Sequence, residues 1–364
     1  MKFLFCIKSV STLGGGAERV LSEVANGLHK RGHSVSILTF EASSSISFYP
    51  LDPAIERHGF TFRGLRPSAL IALRKCICDL TPDIVVGFMP SSYVPVAFAL
   101  AGSGFPVIAS EHNVPARYSG VPHKWMMLRA SFPFVTRFTA VSEQMKEQYP
   151  RSIRSKMDVV PNPSSLMSAE RADVIGLDTG RMLLAVGRLH PQKDHITLVR
   201  AFASIATYFP EWTLKILGDG PERANIEAEI ALLGLSDRVL LPGSTPRISS
   251  EYSGAQLYVI SSLYESYGLA TEEALAHGLP AIGFADCAGT NKLIRNRENG
   301  VLVDPGSSRV SALADGLRML MKDSDLRVQL SKSNKTSREN ATIDQVLDQW
   351  ELISVRSSGH PKFA

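Results

Sequence analysis

Two carboxylates and two cations are the residues of this chain whose types and spacing best suit chemistry. Glu265 and Glu273 are separated by seven intervening residues in Glu-Ser-Tyr-Gly-Leu-Ala-Thr-Glu-Glu, and Arg188 and Lys193 flank the turn Gly-Arg-Leu-His-Pro-Gln-Lys-Asp. Each stretch follows a predicted strand and precedes a predicted helix. Two cations beside a helix N-terminus suit a pyrophosphate, although a solvated basic loop explains the same spacing equally well.

The start of the helix that carries Glu273 adds backbone donors to this chemistry. Tyr267, Gly268 and Leu269 place N–H groups at the first helical turn, where they suit phosphate oxygens. Glu273 lies further along among apolar residues, so its carboxylate requires hydroxyl or cationic partners. A solvated helix face describes Glu272 better, and we expect Glu272 to be the exposed member of the pair.

Glycines mark a third candidate, between the first predicted strand and the first predicted helix. Gly14, Gly15 and Gly16 allow a ligand to approach the backbone closely, although a tight turn explains them as well. Their spacing matches neither the dinucleotide fingerprint nor the P-loop. The Gly218-Asp219-Gly220 stretch is interpreted as a structural turn, and Asp323-Ser324-Asp325 as a helix cap.

The elements that must position these residues alternate between apolar strands and amphipathic helices. Strands are predicted at 3–8, 34–40, 84–88, 107–110, 138–141, 159–160, 182–186, 213–217, 238–241, 257–261, 281–284 and 301–303. This alternation predicts an α/β protein with two successive doubly wound parallel sheets, which bind ligands beyond the carboxyl ends of their strands.

A polar, turn-rich segment separates the two sets of strands and divides the chain. The predicted parts are an N-terminal domain at 1–165, a linker at 166–180, a C-terminal domain at 181–340, and a helix and tail at 341–364 that can pack back on the N-terminal domain. Two domains of this size each bury a core of their own.

Composition and charge narrow the class of protein. With 44% hydrophobic and 20% charged residues among 364, the chain is typical of a globular protein. It contains no run of about 18 apolar residues and no recognisable signal peptide, so we expect a soluble or peripheral protein. The four cysteines lack the spacing of a zinc site.

Charge is distributed unevenly between the two predicted domains. Residues 1–165 hold 18 Lys and Arg against 11 Asp and Glu, a net charge of +7, and the remainder holds 21 against 24, a net charge of −3. We therefore expect the first domain to face something anionic. The stretch His123–Arg129 mixes basic, aromatic and apolar residues and is either a membrane-surface patch or an ordinary core helix with exposed ends. A nucleic-acid binder would need denser basic patches.

Together, these motifs resemble those of the retaining glycosyltransferases of family 4, which have the GT-B fold: two Rossmann-like domains facing each other across a deep cleft. The resemblance extends from Phe3 to about Trp350, and the segment Asp286–Asn291 is similar to the branch that builds bacterial polysaccharides and lipid-linked oligosaccharides. One departure stands out, because relatives commonly have Glu where this chain has Lys292.

The resemblance also implies roles for individual residues. Arg188 and Lys193 hold the donor diphosphate, Glu273 binds the ribose hydroxyls, and Glu265 and His112 lie near the transferred sugar. The implied catalytic residues are His112, Arg188, Lys193 and Glu265. The implied donor-binding residues are Gly15, Gly16, Tyr267, Gly268, Leu269 and Glu273.

The reaction implied by the resemblance is retaining transfer of a hexose or N-acetylhexosamine. The donor is a nucleotide-diphosphate sugar, with UDP favoured, and the acceptor is a lipid-linked or polysaccharide glycan. The resemblance implies no cofactor, no metal site and no requirement for Mg²⁺. It further implies a cytoplasmic protein, peripheral on the anionic inner face of the cytoplasmic membrane, with no nucleic acid as partner. The alternative is a GT-B-fold sugar-nucleotide epimerase.

Overall fold

The protein is made of two compact units, each built on its own parallel sheet. The computed structural model describes residues 1–11, 16–42, 45–115, 121–163, 170–176, 180–245, 247–265, 267–333 and 341–358. One unit comprises Met1–Ser164 and Asn340–Ala364, and the other comprises Ser165–Glu339. The predicted α/β class, with two Rossmann-like domains, is confirmed.

The first unit contains a seven-stranded sheet. Its strands are β1 (Lys2–Ile7), β2 (Ser34–Thr39), β3 (Glu56–Gly59), β4 (Ile84–Phe88), β5 (Val107–Glu111), β6 (Arg137–Ala140) and β7 (Met157–Val159). They pair in parallel in the order β3-β2-β1-β4-β5-β6-β7. Every residue of β4 and β5 is buried, as expected for inner strands of a parallel sheet covered on both faces.

Six helices of this unit follow the strands along the chain. They are α1 (Gly16–Lys30), α2 (Pro67–Asp79), α3 (Pro90–Ala99), α4 (Pro122–Ser131), α5 (Glu143–Glu147) and α6 (Arg151–Arg154). The apolar periodicity of the sequence predicts α1, but not α3, which is buried almost all round and contains Pro95. A helix without a polar face has no amphipathic period to detect.

The second unit contains a six-stranded sheet. Its strands are β8 (Arg181–Val186), β9 (Trp212–Leu217), β10 (Val239–Gly243), β11 (Leu257–Ile260), β12 (Ala281–Phe284) and β13 (Gly300–Val303). They pair in parallel in the order β10-β9-β8-β11-β12-β13. Its helices are α7 (His195–Ala203), α8 (Arg223–Leu232), α9 (Ile248–Ser253), α10 (Leu269–Ala276), α11 (Thr290–Leu293), α12 (Arg309–Lys322) and α13 (Ser324–Lys332). As predicted, Asp323 caps α13, accepting a hydrogen bond from the Leu326 N–H.

Residues 170–176, the longest described part of the predicted linker, pack on the second unit. The side chain of Arg327 is fully buried and donates to the Val174 carbonyl at 2.9 Å and to two carbonyls at the end of α12. Burial lowers the pKa of Arg327 to about 10. This guanidinium therefore fastens the segment by hydrogen bonds to backbone. Most other residues of the predicted linker lie outside the described ranges.

The last helix, α14 (Ile343–Ser358), belongs to the first unit. Its Trp350 packs against the rings of Phe5 and Phe88, with centroids 6.3 and 6.0 Å apart. At its solvent side Arg31 pairs with three carboxylates of α14 at 2.7–3.0 Å. No helix in the described ranges is both long enough and apolar enough to cross a bilayer.

Candidate active site

Lys193 and Glu265 form an ion pair where β8 and β11 end. The Lys193 Nζ donates to Glu265 Oε1 at 2.5 Å, and the Ser262 hydroxyl donates to the same oxygen at 2.6 Å. The Glu265 side chain is only 8% exposed and that of Lys193 17%. A nearly buried carboxylate thus has a cationic partner and a hydroxyl partner, as burial of a charge requires.

Hydrogen bonds to backbone carbonyls join the two turns that carry this pair. The Leu263 backbone N–H donates to the Gln192 carbonyl at 2.9 Å, and the Gln192 side-chain amide donates to the Tyr264 carbonyl at 2.8 Å. The Ser261 hydroxyl donates to the Lys193 carbonyl at 2.7 Å. These hydrogen bonds hold the two turns together, and the surrounding fold therefore sets the distance between Lys193 and Glu265.

A third turn, Gly218-Asp219-Gly220 after β9, packs against the turn that carries Lys193. A Cβ added at Gly218 would lie 2.0 Å from the Gly187 carbonyl oxygen, and one added at Gly220 would lie 2.3 Å from that of Leu189. Only glycine permits this approach of backbone to backbone. The interpretation of Gly218-Asp219-Gly220 as a structural turn is confirmed.

Substitution of Gly220 by alanine is expected to destabilise the second unit by about 2 kcal/mol or more, because the new methyl group must displace the 187–189 turn. The free energy of unfolding in urea measures this. Gly234→Ala is the matched control, since Gly234 also has a positive φ but open space around it. That control bears only the backbone cost, about 1 kcal/mol. Equal losses in both variants would contradict the steric argument.

The predicted phosphate-binding helix α10 begins at Leu269, with Gly268 as its N-cap. The Tyr267 hydroxyl donates to Glu272 Oε1 at 3.1 Å. Glu272 is only 6% exposed and is more buried than Glu273, so the expectation that Glu272 is the solvated member is wrong. Its carboxylate is in the first turn of α10, where the N-terminal helix dipole favours an anion.

Glu273 has the hydroxyl partner that its apolar surroundings require. The hydroxyl of the fully buried Tyr252 donates to Glu273 Oε2 at 2.7 Å. Arg188, the other predicted diphosphate ligand, has an exposed side chain. The structure thus brings Lys193 and Glu265 together, and holds Glu273 separately within α10. No three His, Cys, Asp or Glu side chains of the described chain are grouped to hold a metal ion.

Arg309, at the start of α12, is a residue that sequence reasoning missed. Its guanidinium lies 3.7 Å from the centre of the Phe284 ring, 2.7 Å from Asp286 Oδ2 and 3.8 Å from Asp194 Oδ2. Asp194 directly follows Lys193, so Arg309 ties the Lys193 turn to the turn after β12. Because its partners are far apart along the chain, no local pattern indicates this role.

The turn after β12 also contacts the backbone of Glu265. A Cβ added at Gly289 would lie 2.7 Å from both the Cβ and the carbonyl oxygen of Glu265. Lys292, the predicted departure from the family pattern, is exposed on α11 one turn away. The turn that carries Gly289 therefore packs directly on Glu265.

In the first unit, the predicted catalytic His112 follows β5. Its ring stacks on Phe88 with centroids 5.3 Å apart, and its Nε2 is 3.1 Å from the Ser110 hydroxyl. Burial lowers the pKa of His112 to about 4, so the ring is neutral near pH 7. After the neighbouring strand β4, Met89 has φ 66°, a conformation that glycine prefers.

Glu111 is a buried acid beside His112 that sequence reasoning also missed, although a carboxylate inside an apolar strand was the available signal. It accepts hydrogen bonds from the Tyr93 hydroxyl at 2.6 Å and from the N–H groups of His112 at 3.0 Å and Asn113 at 2.9 Å. Burial raises its pKa to about 7 against the effect of these donors. Glu111 therefore anchors the backbone that carries His112.

The titration of Glu111 predicts a pH dependence of stability. Its folded pKa of about 7 exceeds the ordinary value of 4.5, so the folded protein retains a proton that the unfolded chain releases. Its contribution to stability therefore falls as pH rises from about 4.5 to about 7. Relative to Glu111→Gln, the wild-type free energy of unfolding should decrease across this range and then level off. Exposed Glu147→Gln is the control, and parallel wild-type and Glu111→Gln curves would refute the prediction.

Of the predicted donor-binding glycines, Gly15 lies outside the described residues and Gly16 is the first residue of α1. The segment before them is anchored by Glu41. Its carboxylate accepts the Val10 N–H at 2.8 Å and the hydroxyls of Ser9 and Ser11 at 2.5 and 2.6 Å. Burial raises the pKa of Glu41, but these hydrogen bonds outweigh burial and hold that pKa below its ordinary value.

Comparison with known proteins agrees with this architecture. The model of the family "Glycosyltransferase Family 4" matches residues 14–166, and that of "Glycosyl transferases group 1" matches residues 169–337. The chain is 24% identical to an uncharacterised glycosyltransferase of Haemophilus influenzae, over 97% of this chain and 99% of the relative. It is 27% identical to a diNAcBac-PP-undecaprenol-linked glycan α-1,4-N-acetyl-D-galactosaminyltransferase of Campylobacter jejuni, over 96% and 97%.

Solved structures show the same fold. HepE from Anabaena, in complex with UDP and glucose, superimposes with a TM-score of 0.78 at 18% identity, over 97% of this chain and 98% of that one. Fold and matches together define a glycosyltransferase with the GT-B fold. The chain belongs to the family 4 glycosyltransferases. The epimerase alternative is not favoured.

Proposed function

We propose that the protein is a retaining, metal-independent glycosyltransferase that moves a hexose or N-acetylhexosamine from a UDP-sugar to a lipid-linked or polysaccharide acceptor in surface-glycan synthesis. The observation that carries the proposal is the buried Lys193–Glu265 pair, next to the N-terminus of α10 in the unit matched by the group 1 model. A cation and a helix N-terminus suit a diphosphate, and a carboxylate suits a sugar that gains positive charge.

The proposed chemistry follows from where charge develops. Cleavage of the bond between the anomeric carbon and the diphosphate places negative charge on departing UDP, which Lys193, Arg188 and the N–H groups at the start of α10 stabilise. The acceptor oxygen forms its bond on the face that UDP leaves, and its proton passes to a phosphate oxygen of UDP. Configuration at the anomeric carbon is then retained.

Names of relatives support the choice of donor and acceptor. The name of the Campylobacter jejuni relative describes transfer of N-acetyl-D-galactosamine to an undecaprenol-linked glycan, and the HepE structure contains UDP and glucose. Those properties belong to those proteins. They support a UDP-sugar donor and a polyprenyl-linked acceptor here, with the reaction at the inner face of the cytoplasmic membrane.

The decisive experiment incubates the purified protein with a panel of UDP- and GDP-sugars and a pool of lipid-linked acceptors. We expect acceptor-dependent release of UDP, an α-linked product by NMR, and most of the turnover to survive EDTA. Sugar epimerisation without an acceptor would instead support the rival activity. Inversion at the anomeric carbon would overturn the retaining mechanism, and loss in EDTA that a divalent ion restores would overturn metal independence.

We also propose that the first unit contacts an anionic membrane. In the predicted patch, Met126 is 64% exposed and Lys124 and Arg129 are exposed, but Leu128 is buried in the core. The surface available to a membrane is thus smaller than the whole stretch His123–Arg129, because Leu128 does not contribute to it. The exposed Ile71 on α2 adds apolar surface to the same unit, whose net charge is positive.

Vesicle binding tests this contact. Each basic group near an anionic surface contributes about 1 kcal/mol, and salt screens the attraction. We expect vesicles rich in phosphatidylglycerol to sediment the protein at low salt and release it at high salt. The double variant Met126→Ser, Lys124→Glu should bind several-fold more weakly. Met319→Ser, Lys322→Glu on α12 is the matched control, and equal binding by both variants would exclude this patch.

A further inference from the structure

Two buried hydroxyl groups connect the sheet of the first unit to the ring of His112. The Thr139 hydroxyl on β6 donates to Ser110 Oγ on β5 at 3.2 Å, and Ser110 Oγ is 3.1 Å from His112 Nε2. Thr139 and Ser110 are each 2% exposed. Because these hydroxyl groups are shielded from water, each must find its hydrogen-bond donor or acceptor within the protein. The available partners therefore determine the direction of the hydrogen bonds.

Only one direction of this hydrogen-bonded chain satisfies both hydroxyl protons. If His112 donated through Nε2, Ser110 Oγ would accept from both His112 and Thr139, and the Ser110 proton would find no acceptor among the described residues. An unsatisfied buried donor costs about 1–3 kcal/mol. When Thr139 donates to Ser110 and Ser110 donates to His112 Nε2, both hydroxyl protons have an acceptor.

The ring that receives this hydrogen bond is fixed in orientation by other groups. Phe88 stacks on His112 at an interplanar angle of 22°, and Trp350 stacks on Phe88 at 21°. Glu111 holds the backbone N–H of His112. Since the low pKa of His112 leaves the ring neutral, it carries one proton, and an acceptor at Nε2 places that proton on Nδ1.

We propose that Thr139 and Ser110 are positioning residues that hold His112 in its Nδ1-protonated tautomer, so that Nδ1 donates a hydrogen bond to a hydroxyl oxygen of the substrate. In the described chain no acceptor is bonded to Nδ1, which leaves this donor available. The tautomer follows from the two hydroxyl groups and the neutral ring, whereas its use toward a sugar or acceptor hydroxyl rests on the proposed function.

The tautomer is measurable in the free protein. In two-bond ¹H–¹⁵N spectra of protein labelled at histidine, with His112→Gln to assign the signals, we expect wild-type His112 to be protonated on Nδ1. Thr139→Val keeps the side-chain shape but removes the donor to Ser110, and Ser110→Ala removes the donor to Nε2. Ser110→Ala should shift the population toward Nε2–H by several-fold, whereas Thr139→Val leaves Nε2 as the only acceptor for the Ser110 proton and should shift it less. Thr39→Val, buried at the end of β2 four strands away, is the control that should change nothing.

Turnover completes the test. We expect Ser110→Ala to lower kcat by about tenfold with little change in KM for the donor, the size of one lost hydrogen bond in the transition state. A wild-type His112 protonated on Nε2, or a tautomer unaffected by Ser110→Ala, would overturn the proposal. Absence of any transfer by wild-type protein would defeat the proposed function while leaving the tautomer result standing.

Discussion

Lys193→Ala is expected to lower kcat by about 10²-fold or more. In the proposed reaction its ammonium faces the diphosphate on which negative charge grows as the sugar leaves, so the interaction is stronger in the transition state than in the bound donor. Arg188→Ala should cost a comparable factor for the same reason, although the exposed Arg188 side chain lacks the buried surroundings of Lys193. Steady-state release of UDP in the presence of acceptor measures both.

The same unit supplies a matched control for Lys193. Lys215 on β9 forms an ion pair of the same type, with its Nζ 2.8 Å from Glu251 Oε2. Lys215→Ala should change stability slightly and turnover by less than about twofold, because this pair lies outside the proposed site. If Lys193→Ala and Lys215→Ala behaved alike, the diphosphate would have to bind elsewhere.

Glu265→Gln is expected to move turnover and nucleotide binding in opposite directions. In the free protein the Glu265 carboxylate neutralises Lys193 and would repel a diphosphate brought beside it. Loss of its charge should therefore tighten UDP binding several-fold. It should also lower kcat by about 10²-fold, because glutamine cannot stabilise positive charge at the anomeric carbon.

Calorimetric titration with UDP measures the affinity, and steady-state kinetics of the same variant measures kcat, so the two together test whether binding tightens while turnover falls. Glu251→Gln, the acid of the Lys215 pair, should leave both quantities near their wild-type values. Weaker UDP binding by Glu265→Gln would mean that the carboxylate contributes to donor affinity by holding Lys193 in place. Unchanged turnover would remove Glu265 from the reaction.

Local patterns in the sequence were sufficient for every strand except the polar edge strand β3 and for most of the donor-side candidates. The six predicted strands of the second unit all begin within one residue of their observed starts, because each is a short apolar run bounded by turn residues. Lys193 and Glu265 were recognisable since each follows a strand, and in a parallel sheet those ends share one edge.

The tertiary structure decided the partners of these residues. Tyr252 with Glu273, Arg309 with Asp286, and Thr139 with Ser110 are contacts between separate elements, and no periodicity along the chain encodes them. It also decided that Glu272 rather than Glu273 is the more buried acid, because the Tyr267 hydroxyl and the start of α10 enclose it.

Secondary structure is set largely by neighbours in sequence, so strands and their ends can be predicted from residue order alone. Burial and protonation depend on which groups the fold brings within hydrogen-bond distance. Glu111 shows the difference, because its raised pKa results from its position inside β5 beneath Tyr93 and the turn that carries His112. The sequence by itself thus determined where the candidate groups stand along the chain, and only the packing of distant elements determined their charge and orientation.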